Sequence, residues 1–288
     1  MAIHGGAGTV SRRSMSAARE ARYGAALAAA LEAGWSVLQK GGRSLDAVTA
    51  AVVALEDSPL FNAGRGAVYN AEGRHELDAG IMDGATRRVG AVACVQRIRN
   101  PVLAARAVME KTRHVLLAGR AADRFAAAQK LPLVTARYFH TPERFEALKR
   151  NLQSHHGTVG AVALDRNGNL AAATSTGGFT AKMAGRIGDS PIVGAGVYAD
   201  EACAVSGTGL GEAFVRAVVA YDVAARMRYR RESLGRAATG ALRNVQRLGA
   251  DGGLIAIDRR GNIAMPFNSE GMYRAAVTRD GRIRIAIY

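Results

Sequence analysis

The sequence has few of the residues that mark disulfide-stabilised or membrane-spanning proteins. It contains two cysteines, six prolines and one tryptophan in 288 residues. No window approaches the roughly eighteen uninterrupted apolar residues of a membrane-spanning helix. No basic and apolar leader with a small-residue cleavage site opens the chain. We therefore expect a cytoplasmic protein, and its 49% hydrophobic content is enough for a sizeable core.

The residues that bind metals or form disulfides are scattered. Cys94 and Cys203 lie in apolar, strand-like segments without a CxxC partner or a nearby histidine. They are interpreted as buried packing residues, with a reactive pair as the alternative. His155 and His156 are adjacent in a polar stretch and cannot easily face one ion, so no transition-metal site is predicted.

The formal charge of +15 is the one anomaly of composition. A surface this basic attracts nucleic acid or anionic membrane non-specifically, which keeps a non-enzymatic, nucleic-acid-binding protein open as an alternative. The arginines are nevertheless spread along the chain, and the densest cluster, at 226–236, matches no nucleic-acid motif. A solvated, arginine-rich face is the commoner meaning of such a pattern.

The first half of the chain alternates helical and strand-like patterns. Segment 2–8 reads as a short strand, and Leu27, Leu31 and Leu38 fall on one stripe of a helix predicted near 14–40. Segment 87–96 is an apolar strand. Further helix starts are predicted at Ser44, Asn100-Pro101 and Thr141-Pro142. The polar segment 153–157 is expected to be an exposed linker.

The second half repeats one pattern twice. Segments 158–176 and 252–268 each contain an apolar run, a D-x-x-G-N turn and a second apolar run, which predicts two β-hairpins. Two helical patterns, at 211–228 and 233–248, lie between them. Strands enclosed by helices predict an α/β fold of two packed sheets flanked by helices, a four-layer αββα sandwich in a single domain.

Thr158 stands where the polar linker meets the first of these hairpins. A threonine hydroxyl is a weak nucleophile unless a base lies beside it, and an N-terminal threonine carries such a base as its own α-amino group. Cleavage after Gly157 would create both groups, and a glycine there lets the hydroxyl approach the preceding carbonyl carbon. The alternative is that Gly-Thr simply opens a strand.

Several separated motifs resemble one family over nearly the whole chain. The segments that carry the resemblance are 3–8 (IHGGAG), 58–84, 99–110, 157–178 (beginning GTVGAVA), 185–196 (GRIGDSPIVGAG) and 267–275. Together they are similar to the plant-type L-asparaginases, also called isoaspartyl or β-aspartyl peptidases, which are N-terminal nucleophile (Ntn) hydrolases. The resemblance implies a four-layer αββα fold, self-cleavage into subunits 1–157 and 158–288, and a dimer of these heterodimers.

The resemblance also implies roles for particular residues. Thr158 would be the nucleophile, and the hydroxyl of Thr176 would lie beside it. Thr208 and Gly209 would stabilise the oxyanion with a hydroxyl and a backbone N–H. Asn62 would position water or the nucleophile. Without the resemblance, these residues read as strand hydroxyls, a glycine-rich helix start and a turn-forming asparagine.

Two charged residues would recognise the substrate. By resemblance, Arg186 would take the α-carboxylate in a bidentate ion pair and Asp189 the α-ammonium. Opposite charges three residues apart suit a zwitterionic head group, although a surface salt bridge between the two is the alternative.

A structural sodium ion is implied by resemblance alone. Its ligands would be main-chain carbonyls, which leave almost no signal in sequence: those of Leu55, Glu56, Ser58, Phe61, Ala63 and Arg65. The reaction implied for the family needs no cofactor for catalysis.

The resemblance thus implies hydrolysis of asparagine, or of a β-aspartyl dipeptide, through an ester on Thr158. Two rival hydrolases share the nucleophile. A glycosylasparaginase needs a site open to a glycan and normally a secretory leader, whereas a threonine aspartase-like endopeptidase needs room for polypeptide on both sides.

Overall fold

The fold of the protein is given by a computed structural model, which describes residues 1–8, 12, 15–150 and 157–288. The predicted exposed linker and the His155-His156 pair fall largely or wholly within 151–156, outside the described residues. No helix in the described ranges combines the length and the apolar character needed to cross a membrane.

Most of the helices and strands that the sequence predicts are present, and the structure adds elements that were not predicted, such as the strands at 77–83 and 283–286 and the helix at 119–128. The strands are β1 (Ala2–Gly8), β2 (Leu77–Asp83), β3 (Val89–Val95), β4 (Leu116–Ala118), β5 (Val159–Leu164), β6 (Leu170–Thr176), β7 (Val197–Ala199), β8 (Cys203–Gly209), β9 (Gly252–Asp258), β10 (Ile263–Ala264), β11 (Gly271–Val277) and β12 (Ile283–Ala286). The helices are α1 (Ala17–Gln39), α2 (Ser44–Asp57), α3 (Pro101–Lys111), α4 (Gly119–Ala128), α5 (Ala136–Phe139), α6 (Pro142–Lys149), α7 (Gly211–Ala217), α8 (Val219–Arg230) and α9 (Leu234–Arg247).

These strands form two sheets. The larger has the order β12-β11-β1-β5-β6-β2-β3-β4, and the smaller has the order β10-β9-β8-β7. Neighbouring strands are antiparallel except for β3 and β4, which are parallel. The two predicted hairpins are β5-β6 and β9-β10, one in each sheet, so the repeated D-x-x-G-N turn marks the same element twice.

Alternating side chains divide the core into two layers. Ala161 and Ala163 of β5 pack in a cluster with α1, α2 and α3, whereas Val162 between them packs in a cluster with the smaller sheet, α8 and α9. A strand points successive side chains to opposite faces, so β5 is apolar on both faces because both are covered. The fold is therefore mixed α/β, with helices against one face of the larger sheet.

Three local predictions need correction. The helix predicted at 211–228 is interrupted at Val218, whose φ of 47° separates α7 from α8. Asn100 precedes α3 but does not cap it with its side chain, which instead donates to Asp57. Cys203 is buried as predicted, but Cys94 is only partly buried, and both are free thiols.

Three arginines of the cluster at 226–236 form ion pairs with carboxylates. Arg226 pairs with Asp222 and Glu232, and Arg228 pairs with Asp200. Since carboxylates surround these guanidinium groups, the cluster does not form a uniformly cationic stripe.

Candidate active site

Strand register brings two threonine hydroxyls together at one edge of the larger sheet. Val159 pairs with Ser175 in the β5-β6 ladder, so Thr158, just before β5, lies beside Thr176 at the end of β6. The Thr158 hydroxyl donates to the Thr176 hydroxyl at 3.2 Å, and both residues are buried. The predicted pairing of these hydroxyls is therefore present in the geometry.

The carbonyl oxygen of Gly157 receives two hydrogen bonds. The Thr176 hydroxyl donates to it at 3.0 Å and the Asn62 amide nitrogen donates at 2.8 Å. Thr176 also accepts the backbone N–H of Gly178 at 2.9 Å. A Cβ on residue 157 would lie 3.1 Å from the Cβ of Asn62, so glycine permits this close approach.

Asn62 is fixed by three segments of the chain. Besides Gly157, its amide nitrogen donates to the carbonyl of Gly178 at 2.5 Å, and its side-chain oxygen accepts the N–H of Val68 at 3.0 Å. An amide with all these partners has little rotational freedom. It therefore presents a preoriented donor to the peptide bond that precedes Thr158.

A small pocket opens beside the threonines. Its lining residues are Gly157, Thr158, Thr176, Gly178, Phe179, Arg186, Asp189 and Gly209. The pocket thus gathers most of the residues that the sequence singled out from four distant segments. Phe179 and Gly178 were not predicted as site residues, although they closely follow Thr176 in the sequence.

Asp189 is buried in this pocket with an unsatisfied oxygen. The residue is 3% exposed, and its Oδ2 has no hydrogen-bond partner among the residues that the structure describes. Burial raises the pKa of this carboxyl to about 7, against a smaller opposing influence of Arg186. A buried, incompletely bonded carboxylate is costly without a cationic partner, so the site suits an ammonium group.

Arg186 already holds a carboxylate. Its guanidinium forms a two-pronged ion pair with Glu212 at 2.9 and 2.8 Å, and it lies over the Phe179 ring, 4.6 Å from the centroid. The alternative of an Arg186–Asp189 salt bridge is not what the described residues show. The sequence did not predict a role for Glu212, because an exposed helical glutamate has no distinctive local pattern.

Thr208 and Gly209 end β8 at the other wall of the site. Gly209 lines the pocket, whereas Thr208 is fully buried and its hydroxyl accepts the N–H of Ala7 at 3.1 Å. The structure thus brings Gly209 to the pocket and uses Thr208 to bind β1 to β8.

A second polar chain links the two sheets beneath the site. The His4 ring nitrogen Nε2 lies 2.9 Å from the Ser206 hydroxyl, which lies 2.7 Å from the Thr174 hydroxyl. Burial lowers the pKa of His4 to about 3, so the ring is neutral. Thr174 and Thr176 are two residues apart on β6 and therefore point to the same face of the sheet, where Thr174 joins this chain and Thr176 lies at the pocket.

The loop after α2 has the carbonyls that the resemblance assigns to sodium. Those of Leu55, Phe61 and Ala63 accept backbone N–H groups at 3.3, 3.0 and 3.1 Å, which leaves each oxygen a second lone pair. The carbonyls at the C-terminal end of a helix also favour a cation. The donor set is therefore chemically compatible with sodium. Within the described ranges, no group of three or more His, Cys, Asp or Glu residues is placed to hold a metal ion.

Comparison with known proteins agrees with this arrangement. The sequence profile of the family described as Asparaginase matches residues 1–155 and 149–287. An isoaspartyl peptidase of Escherichia coli is 52% identical over 293 residues, covering 96% of this chain and 91% of the relative. The isoaspartyl peptidase of Salmonella typhimurium is also 52% identical, covering 96% and 94%. The human isoaspartyl peptidase/L-asparaginase is 42% identical, covering 99% and 94%.

The fold and the site define a mixed α/β protein with a buried threonine pair beside a charged pocket. By profile and by identity over nearly its whole length, the chain belongs to the asparaginase family.

Proposed function

We propose that the protein is a self-processing threonine amidohydrolase, which hydrolyses L-asparagine to aspartate and ammonia and cleaves N-terminal β-aspartyl dipeptides. The observation that carries the proposal is the pair of donors on the Gly157 carbonyl oxygen, from Asn62 and Thr176, with the Thr158 hydroxyl adjacent. Donors aimed at a carbonyl oxygen stabilise the charge that develops when its carbon is attacked.

Self-cleavage begins at this peptide bond. The Thr158 hydroxyl oxygen bonds to the Gly157 carbonyl carbon while its proton passes towards Thr176. The carbon–nitrogen bond then breaks, the nitrogen takes up a proton, and an ester joins Gly157 to Thr158. Water hydrolyses this ester and leaves Thr158 with a free amine and a free hydroxyl.

The released amine then serves as the base for turnover. It takes the proton from the Thr158 hydroxyl, and the alkoxide attacks the side-chain carbonyl of asparagine or the isopeptide carbonyl of a β-aspartyl dipeptide. Ammonia or an amino acid leaves with that proton, and water hydrolyses the β-aspartyl ester. The backbone N–H of Gly209 and the Thr208 hydroxyl are proposed to stabilise the oxyanion. No cofactor takes part.

The charged half of the pocket selects the substrate. We assign the α-ammonium to Asp189, because no described residue hydrogen-bonds its Oδ2, and the α-carboxylate to Arg186. The Arg186 guanidinium must share or release Glu212 when it takes the carboxylate. This clamp requires a free α-carbon end and disfavours the interior of a polypeptide.

The proposal extends to the architecture. Residues 1–288 form a single Ntn-hydrolase domain with a four-layer αββα sandwich, cleaved into 1–157 and 158–288, and two such heterodimers associate. The α1–α3 cluster on one face and the α8–α9 cluster beyond the smaller sheet support the layering. We place the enzyme in the cytoplasm, which fractionation would test.

We also propose that the main-chain carbonyls of 55–65 bind a structural sodium ion. The ion would neutralise the carbonyls at the end of α2 and fix the loop that carries Asn62. Replacing sodium by choline should lower the melting temperature, and an unchanged melting temperature would contradict the assignment.

Parallel assays of four substrates test the function. We expect β-aspartyl-leucine and asparagine to be hydrolysed, and a glycosylated asparagine and an internal aspartyl peptide to be left intact. Cleavage of the glycosylated substrate alone would indicate a glycosylasparaginase, and cleavage of the peptide alone would indicate a threonine aspartase-like enzyme. Retention on a phosphate column without any hydrolysis would favour the basic binding protein.

A further inference from the structure

A buried ion pair lies behind the threonine site. The Lys182 ammonium and the Asp78 carboxylate are both fully buried, and their Nζ and Oδ2 atoms are 4.0 Å apart. The ammonium also donates to the main-chain carbonyl of Glu76 at 2.8 Å. A buried ion pair is rarely the most stable solution, because desolvation offsets its attraction. Its presence here calls for a role other than stability.

The sheet is distorted to support Asp78. Leu77 pairs with Val95 but Ala79 pairs with Val92, so β3 has one extra residue opposite Asp78. Within this bulge Cys94 has a φ of 52°, which is unfavourable for a residue with a Cβ, and its N–H donates to Asp78 Oδ1 at 2.8 Å. Among the described residues Asp78 Oδ2 has no hydrogen-bond partner, and its ion-pair partner is Lys182, with a weaker attraction from Arg186.

Asp78 lies directly opposite a site residue. It pairs with Thr176 in the β2-β6 ladder. Residues directly opposite each other in an antiparallel ladder project from the same face of the sheet. Asp78 is therefore one strand away from the Thr176 hydroxyl, which contacts Thr158.

The stem of Lys182 supports the turn that completes the site. Gly178 has a φ of 86°, and a Cβ there would lie 2.7 Å from Lys182 Cδ, so the stem packs directly against the turn. The N–H of Gly178 donates to Thr176, and its carbonyl accepts from Asn62. Moving this turn would move both donors to the Gly157 carbonyl.

We propose that Lys182 and Asp78 are positioning residues for the threonine site. The ion pair fastens the Gly178 turn to β2, and the turn holds Thr176 and Asn62 in the geometry needed for attack. This inference rests on the proposed function and adds two residues that act through Gly178 rather than on the substrate.

The decisive variant carries Asp78→Asn and Lys182→Met together. It removes both charges at nearly constant volume, which buried pairs generally tolerate. Because small misplacements of reacting groups reduce rates up to about a hundredfold, we expect kcat per cleaved chain to fall by about tenfold to a hundredfold. KM for β-aspartyl-leucine should stay within about twofold, since Arg186 and Asp189 are unchanged. Self-cleavage should slow in parallel.

Two further variants complete the design. Lys182→Gln keeps a donor for the Glu76 carbonyl and removes the charge, and it should show the same loss of kcat at constant KM. It replaces the double variant if that chain does not fold. Lys149→Met is the matched control, because it removes an exposed lysine that pairs with Glu146 at 3.0 Å. Its kcat and KM should equal those of the wild type.

The result that overturns the inference is a folded double variant, or a folded Lys182→Gln variant, with kcat within about threefold of the wild type. A raised KM at unchanged kcat would overturn it equally. If the wild-type enzyme hydrolyses neither asparagine nor β-aspartyl-leucine, the proposed function itself fails, so the two failures are distinguishable.

Discussion

The site has a threonine half, made by Thr158, Thr176, Asn62 and Gly157, and a charged half, made by Arg186 and Asp189. The two halves differ in how completely their polar groups are hydrogen-bonded. Thr158, Thr176, Asn62 and the Gly157 carbonyl form a closed set of hydrogen bonds between 2.8 and 3.2 Å. In the charged half, Asp189 has an oxygen with no hydrogen-bond partner in the described part of the chain. The hydrogen bonds of the threonine half are complete without substrate, whereas those of the charged half are not.

This difference follows from what each half must do. Neutral donors and acceptors can satisfy one another within the protein and stay rigid, which keeps the cost of reorganisation low at the moment of reaction. A site that binds a charged substrate has to leave charged groups available for it. Glu212 provides a counter-charge for Arg186 while the substrate is absent. It cannot do the same for Asp189, because two carboxylates repel each other.

Loss of the Thr158 hydroxyl should have the largest effect of any single change. In Thr158→Ala no oxygen can attack Gly157, so we expect a single chain of 30.2 kDa and no hydrolysis. The wild type should give fragments 1–157 and 158–288 in a mass spectrum. Thr158→Ser, which keeps the hydroxyl, should still cleave. Fragments from the alanine variant would refute the self-cleavage mechanism.

Removing the Asn62 donor should slow self-cleavage at the threonine half without abolishing it. Asn62→Ala leaves Thr176 as the donor to the Gly157 carbonyl, and loss of one such donor typically costs about a hundredfold in rate. The time course of chain cleavage on a denaturing gel measures the effect. Asn70→Ala is the control, because Asn70 is also buried but only accepts N–H bonds within its own turn. Equal cleavage rates for both variants would remove Asn62 from the mechanism.

The sequence predicted the threonine half better than the charged half. The family resemblance gave both threonines their roles, but the hairpin that brings Thr158 beside Thr176 was predicted from its own turn pattern. Asn62 needed the family resemblance, because its partners lie 95 and 116 residues away. The most local relations were thus the most predictable.

Long-range contacts set the limits of prediction. Glu212, Lys182 and Asp78 acquire their roles from pairing across elements, and each reads as an ordinary charged residue in its own segment. The break at Val218 likewise has no local signal, because valine rarely adopts a positive φ. A periodic apolar pattern continued through it and predicted one helix where the fold makes two.

Weakening Arg186 should affect recognition more than chemistry. Arg186→Lys keeps the charge but loses the planar fork that binds a carboxylate with two parallel bonds. We expect KM for β-aspartyl-leucine to rise by about tenfold, with kcat changed less, in steady-state kinetics. Arg228→Lys, remote from the pocket, serves as the control. A fall in kcat at constant KM would mean that Arg186 acts in the chemical step with the threonine half and not in substrate recognition.

The pH dependence of recognition should report Asp189. Its pKa is raised to about 7 by burial, and only the ionised carboxylate attracts an ammonium. We therefore expect kcat/KM to fall as the pH drops through about 7, approaching tenfold per pH unit. Bound ammonium favours the carboxylate, so kcat at saturating substrate should decline only at a lower pH. Coincident profiles for kcat and kcat/KM would contradict this assignment.

Glu56 offers the smallest effect and the sharpest contrast with Asp189. Its carboxyl is also buried, and one oxygen has no hydrogen-bond partner within the described ranges, but the other oxygen accepts from Ser175 and from the N–H of Val102. Burial raises its pKa to about 8. Between the ordinary value near 4.5 and about 8, the folded protein therefore keeps a proton that the unfolded chain releases, and the free energy of unfolding falls as pH rises.

Glu56→Gln tests this, because glutamine resembles the protonated acid and does not titrate. The melting temperature of the variant minus that of the wild type should increase between pH 5 and pH 9, with little change in kcat. Glu146→Gln, at an exposed helical position, should show no such trend. A difference independent of pH would mean that Glu56 is ionised in the folded protein. The expected increase would instead mean that Glu56 is protonated in the folded protein near neutral pH, so that it differs in charge state from the carboxylate with which Asp189 binds an ammonium group.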